Sequence, residues 1–224
     1  MSTDAMQTHY PEQTYSGFLI SFEGGEGGGK STQIHRLRTR LEACGKQVVV
    51  LREPGGTPIA EQIREVVLSA KNIGIAYTAE VLLFQASRAQ LYREVVIPSL
   101  EAGKVVLMDR TRDSSVVYQG IVRGFGADLI EQLNDISTKS IYPNMTFLLD
   151  LDPKIGLSRR EGAEEGMNRL DMETLDFHAK VRDAYLSLVK QDTRDRWVTI
   201  DASQPIDDIE EDIWVEIQAR GMCA

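Results

Sequence analysis

Cysteine is nearly missing from this chain. The two it has, Cys44 and Cys223, lie far apart in sequence and form no metal-binding or redox spacing. Histidine is as sparse: His9, His35 and His178 are scattered, which argues against a histidine metal site. No run of about 18 apolar residues occurs, and no signal-peptide pattern opens the chain. A membrane protein is thereby disfavoured, and a reduced, cytoplasmic setting is expected. Positive charge is also short. The formal net charge is −9 and the sequence pI about 4.9, which suits neither duplex DNA nor an anionic membrane as partner. Any polyanion bound here must meet a local cluster of Lys and Arg. Internal repeats and low-complexity tracts are absent too.

What is present suits one substantial core: 224 residues, 42% of them hydrophobic. Residues 1–16 are polar and aperiodic and are expected to form a flexible leader, with a single domain over 17–224. Short β-branched apolar runs predict strands at 17–22, 47–51, 104–108, 145–150 and 197–200. Their continuity, without alternation, points to strands buried on both faces. Helical patterns lie between them, near 30–43, 57–70, 78–102, 113–122, 126–139, 153–161, 173–191 and 205–219. Alternating strands and helices predict an α/β fold with a doubly wound parallel sheet, whose ligands bind beyond the carboxyl ends of the strands.

The most telling stretch sits at such an end. Gly24–Ser31 fits G-x-x-x-x-G-K-[ST] between an apolar strand, FLISF, and an amphipathic helix. Glycines let backbone N–H groups curl around phosphate oxygens. Lys30 supplies a point charge for terminal phosphates, and the Ser31 hydroxyl can ligate Mg²⁺. The helix that starts there aims its free N–H groups at the anion.

The other chemistry-bearing segments also follow strands. Arg52-Glu53-Pro54-Gly55-Gly56-Thr57 is a tight turn, with Thr57 and Pro58 able to open a helix. Asp109 and Arg110 close the third strand, where a carboxylate can serve Mg²⁺ and a guanidinium can clamp a phosphate. Phe84 and Arg88 share one helical face and can stack on a base and bond its edge, although spacing alone favours a core Phe and a solvated Arg. Tyr118 and Gln119 can close a sugar or base pocket. Residues 158–171 are polar, glycine-punctuated and rich in charge. They read as a lid whose Arg159, Arg160 and Arg169 arrive when it closes, or as a solvated loop.

Together FEGGEGGGKST, REPGGT, Phe84 with Arg88, Asp109-Arg110, YQG at 118–120 and NRLD with FH (168–171, 177–178) resemble thymidylate kinases in order and spacing, over about 18–215. The resemblance implies five parallel strands with a lid, a homodimer, and ATP-dependent, Mg²⁺-assisted phosphorylation of dTMP to dTDP on the way to dTTP. Carried over residue by residue, it implies that Gly24, Gly25, Glu26, Gly27, Gly28, Gly29, Lys30, Ser31 and Thr32 hold ATP. Glu26 would also meet the deoxyribose 3′-hydroxyl. Phe84 would stack on thymine and Arg88 bond its edge. Arg110 would hold the dTMP phosphate, with Arg52 near the phosphates and Glu53-Pro54 in a cis turn. Ser31 and Asp109 would place Mg²⁺, while Ser114, Ser115, Tyr118 and Gln119 would line the sugar and base pocket. Glycine at position 27 matches the bacterial-type branch, where cations come from the lid.

Two features depart from the family pattern. The lid motif reads Asn168-Arg169-Leu170-Asp171 behind an acidic stretch, Glu161–Glu165, which puts Arg169 ahead of Arg159 and Arg160 as the lid cation. Ser114-Ser115 occupies a position where the family varies and on which the choice of pyrimidine can turn. Two other functions fit the phosphate loop: a kinase for another nucleoside monophosphate, and a nucleotide switch or binding module. The Asn-Lys-x-Asp segment of guanine switches does not occur.

Overall fold

The computed structural model describes residues 15–161 and 168–223. The expected leader therefore falls outside the described residues except for Tyr15 and Ser16, and the lid is described only at its two ends. Five strands form one parallel sheet: β1 (Phe18–Glu23), β2 (Val48–Arg52), β3 (Val105–Asp109), β4 (Met145–Asp150) and β5 (Trp197–Asp201). Their order in space is β2-β3-β1-β4-β5. All five expected strands form, shifted by a residue at some ends, as is usual for element boundaries.

The sheet explains why its strands are apolar without alternation. Ile20, Leu107 and Phe147 point to one face, where α1 (Lys30–Ala43) and the C-terminal helix pack through Ile34, Leu37, Leu41, Ile209, Ile213 and Ile217. Their neighbours Leu19, Val106 and Met108 point to the other face, against Leu91, Tyr92 and Val96. Successive side chains on a strand face opposite ways, so a sheet covered on both sides needs apolar residues at every position.

The remaining helices are α2 (Pro58–Leu68), α3 (Tyr77–Leu91), α4 (Ile97–Glu101), α5 (Arg112–Ser115), α6 (Ala127–Thr138), α7 (Pro153–Glu161), α8 (Leu175–Lys190) and α9 (Ile206–Ala219). Thr57 caps α2, its hydroxyl accepting from the Ala60 N–H, and Pro58 takes the first helical turn. The helix expected as one piece over 78–102 is interrupted. A wider, π-helical stretch over Tyr92–Val96 separates α3 from α4. Pro98 has no N–H and its ring crowds the carbonyl four residues back, so the preceding turn opens. The expected 113–122 helix is likewise α5 followed by π-helical Val116–Val122.

The two cysteines, remote in sequence, are neighbours in space. The C-terminal tail behind α9 returns to the end of α1, and burial, aided by a hydrogen bond with Cys44, pushes the Cys223 thiol up to about 11. Arg36 ties α1 to α9 through Asp207 at 2.6 Å and Glu210 at 2.5 Å.

Phe22 and Phe147 stack at 5.3 Å between ring centroids beneath the phosphate loop, both without solvent exposure. Phe147→Ala is expected to lower the unfolding free energy by about 3–5 kcal/mol through lost burial and a residual cavity. Urea denaturation of the two proteins measures the difference.

Candidate active site

Parallel strands bring their carboxyl ends to one rim. Arg52 pairs in register with Asp109, and Asp109 with Phe22, which precedes Glu23. Above that rim opens a cavity of about 650 Å³ that runs from the glycine-rich loop to Phe84 and Tyr118. Seven Lys and Arg side chains line it against three carboxylates, in a chain that is acidic overall. The local cationic cluster required of any polyanion site is present.

The loop from Gly24 to Gly29 leads into α1, whose N-terminus has no side-chain cap. Its first N–H groups are therefore left for a ligand. Gly27, Gly28, Gly29, Lys30, Ser31 and Thr32 face the cavity. Gly24 and Gly25 instead turn their carbonyls to Lys30 Nζ, at 3.3 and 2.7 Å. Burial, and then the charge of Arg110, pulls the Lys30 ammonium below its ordinary value, opposed by Glu26, Asp109 and Glu23. The Ser31 hydroxyl donates to Asp109 at 2.9 Å. These are two hard oxygen donors side by side, the chemistry Mg²⁺ prefers. Among the described residues no cluster of three His, Cys, Asp or Glu could hold a metal. An ion at Ser31 and Asp109 would take its remaining ligands from phosphate and water.

Gly27 explains how the loop keeps its place. Its φ is 66°, and a β-carbon there would strike the Gly156 carbonyl; one on Gly156 would strike the Glu26 carbonyl. The loop and α7 thus touch backbone to backbone, and α7 carries Arg159 and Arg160 into the cavity wall. Arg159 donates to the Gly27 carbonyl at 3.3 Å.

Arg110 is the centre of the site. Its φ of 70° is left-handed, unusual for a residue with a side chain. Its guanidinium reaches Glu26 at 2.6 Å and the Gly24 carbonyl at 3.1 Å, 5.2 Å from the centroid of the Tyr118 ring. The Tyr118 hydroxyl also donates to Glu26. Burial works against ionisation of Glu26, but Arg110, then Lys30 and His178, prevail and hold it at about 2. Behind Arg110 lies Glu23, with no solvent exposure. It accepts from Ser21, the Thr111 N–H and hydroxyl, Ser114 and Tyr185, at 2.6–3.1 Å. Burial, and then Asp113, raises Glu23, whereas Ser114, Arg110 and Tyr185 lower it.

At the far end Phe84 is half-buried and lines the cavity. Arg88 does so as well, but it is no solvated neighbour. It is 1% exposed, paired with Glu53 at 2.6 Å and hydrogen-bonded to Gln85, Asn134 and the Thr111 carbonyl. Glu53-Pro54 is cis. Ser114, Ser115, Tyr118 and Gln119 also line the cavity. Arg52 stands at its rim, half-exposed and paired with Glu61.

Arg169, expected as the lid cation, stands apart from the others. It does not line the cavity. Its guanidinium is buried against Glu80 at 2.6 Å and the Val67 carbonyl at 3.0 Å. That pairing anchors the residues just after the undescribed stretch; Arg159 and Arg160 line the cavity from this side, Arg160 while paired with the buried Asp171 at 3.1 Å. The acidic stretch Glu161–Glu165 lies outside the described residues apart from the helical backbone at 161. Sequence reasoning also passed over Glu23, Arg64 and Tyr185. Glu23 carries the same signal as Asp109, a charge closing a buried strand. Arg64, which donates to the Pro54 carbonyl at 2.8 Å, and Tyr185 sit on amphipathic helices with nothing local to mark them.

A family model described as Thymidylate kinase matches residues 22–213. A thymidylate kinase from a Geobacillus species is 45% identical, over 86% of this chain and 92% of its own length. One from Deinococcus radiodurans is 46% identical, over 92% and 98% respectively. A crystal structure of thymidylate kinase from Ehrlichia chaffeensis superposes with a TM-score of 0.73 at 31% identity, covering 90% of this chain and 98% of that one.

Two outcomes follow from this geometry. Gly156→Ala pushes α7 off the loop, and kcat/KM is expected to fall on the order of 10²-fold, as misplacement by about 1 Å does elsewhere; steady-state kinetics measures it. The second concerns pH. Because Glu26 is held at about 2 in the folded protein and lies near 4.5 ordinarily, its stabilising pair with Arg110 is complete above pH 4.5 and is lost as pH falls toward 2. The thermal-stability gap between the wild type and Glu26→Gln is therefore expected to be constant from pH 5 to 8 and to narrow below 4.5.

Proposed function

The chain belongs to the thymidylate kinase family, and from that premise we propose how its cavity passes a phosphoryl group from ATP to dTMP. The enzyme phosphorylates dTMP, a step toward dTTP. The carrying observation is a single cationic cavity with a phosphate loop at one end and an aromatic, polar pocket at the other.

ATP phosphates lie along Gly24–Thr32 and the N-terminus of α1, next to Lys30. The dTMP phosphate meets Arg110. Glu26, steadied by Arg110 and Tyr118, accepts from the 3′-hydroxyl of the sugar. Phe84 supplies a stacking face for thymine, Arg88 and Gln119 its polar edge, and Glu53, Pro54, Ser114 and Ser115 the walls. Ser31 and Asp109 would hold Mg²⁺, which when bound neutralises charge on the ATP phosphates. A monophosphate is already an anionic nucleophile at neutral pH, so no general base is needed. The task is to hold two polyanions in line against their repulsion. Lys30, Arg110 and the α7 arginines offset it, with Arg52 close by. Closure of the lid, about 158–171, excludes the water that would otherwise hydrolyse ATP.

Two further readings complete the proposal. Exposed apolar side chains on adjacent helices, Ile59 and Val66 on α2, Leu82 on α3, Leu129 and Ile136 on α6, support a homodimer through that face, which light scattering tests. The working compartment is the cytoplasm. Among the described residues no helix is long and apolar enough to cross a membrane.

ADP release measured with and without dTMP tests the reaction. It is expected to depend on dTMP and to favour dTMP over other monophosphates by at least about tenfold. A rate indifferent to dTMP would leave a slow nucleotide-hydrolysing module instead. Arg110→Ala is expected to lower kcat/KM by roughly 10²–10³, the worth of one electrostatic donor, and near-full activity would remove it from the site.

A further inference from the structure

Glu80 has no part in the chemistry described above, yet it is completely buried. It lies in the first turn of α3, one turn before Phe84. Its Oε2 accepts from Arg169 at 2.6 Å. Its Oε1 accepts from the side-chain amide of Gln119 at 2.9 Å and lies 3.6 Å from Arg123. Both arginines are tied down in turn, Arg169 to the Val67 carbonyl and Arg123 to Glu173 at 2.6 Å. A carboxylate facing two guanidinium groups offers acceptors only. The Gln119 amide must therefore turn its NH₂ toward Glu80. Among the described residues no hydrogen bond reaches its oxygen, and Gln119 lines the cavity. The free end of the amide is an acceptor.

We propose that Glu80 is a positioning residue for base choice: it holds the Gln119 carboxamide with its oxygen toward the base, so that the pocket takes pyrimidines carrying an N3–H. Thymine and uracil donate at N3. Cytosine presents a lone pair there, which an amide oxygen repels. Without Glu80 the near-isosteric ends of the amide could exchange, and the discrimination would be lost. The inference rests on the thymidylate reading of the cavity and adds the origin of one part of its specificity.

Glu80→Gln tests it, because glutamine keeps the shape but can donate as well as accept. The readout is the ratio of kcat/KM for dTMP to that for dCMP. The ratio is expected to fall by about tenfold or more, with the loss carried by KM for dTMP and KM for ATP unchanged. The exchange variant E80Q/Q119E again leaves an acceptor facing the base and is expected to recover most of the ratio. A merely structural role for Glu80 would lower both substrates together, and an unchanged ratio would overturn the proposal. Should Glu80→Gln not fold, the exchange variant decides alone: a ratio near that of the wild type supports the proposal, and a collapsed one overturns it. The wild-type control separates the two levels of inference. If the wild type does not prefer dTMP to dCMP, the thymidylate reading fails; if it does and Glu80→Gln keeps that preference, only the role of Glu80 falls.

Discussion

A guanidinium in or behind a cavity wall has to be held still. In this protein the holding is done by carboxylates, three of them buried and Glu26 partly so. Glu26 fixes Arg110, Glu53 fixes Arg88, Glu80 fixes Arg169 and Asp113 fixes Arg196. Each arginine would be costly to bury alone, and each carboxylate likewise. Paired, they form a rigid frame around and behind the cavity. The cavity wall keeps an excess of cations over carboxylates. This arrangement reconciles an acidic chain with a site for two polyanions.

The frame depends on the sheet. Parallel pairing puts the ends of β1, β2 and β3 side by side, so Glu23, Arg52 and Asp109 share one rim although dozens of residues separate them. The glycine-rich loop leaves that rim and is stopped by α7, glycine against glycine. The contact has a functional consequence. The helix that carries Arg159 and Arg160 is the same one that touches the glycine-rich loop, so the position of the loop and the placement of those cations share a mechanical link.

The base end is organised differently. Phe84, Arg88 and Glu80 come from one helix and Tyr118 and Gln119 from the π-helical stretch after α5. The widened turns there rotate side chains relative to a regular helix, and with them the pocket-facing residues. Polar atoms at this end are linked in pairs rather than left to solvent: Gln119 to Glu80, and Arg88 to Glu53, Gln85 and Asn134. Such pairing narrows the orientations each group can present to the cavity.

Most of the architecture was legible in the chain itself. Five continuous apolar runs alternating with helical periods require a sheet covered on both faces, and a sheet of that kind gathers its loops at one rim. That the glycine-rich loop, Asp109 and Arg110 would share one cavity was legible because local order carries their signal: glycines before a helix, charge at the end of a buried strand. For Arg169 the motif says that it matters without saying to what; only packing shows Glu80 as its partner. The two cysteines were read as unrelated because separation along the chain hides a contact made when α9 returns to α1. Local chemistry and periodicity determine the elements and the glycine-rich loop. Which charge meets which, and so which cations are free to act, is decided only when elements far apart in sequence are pressed together away from water, where an unpaired charge is too costly to leave alone.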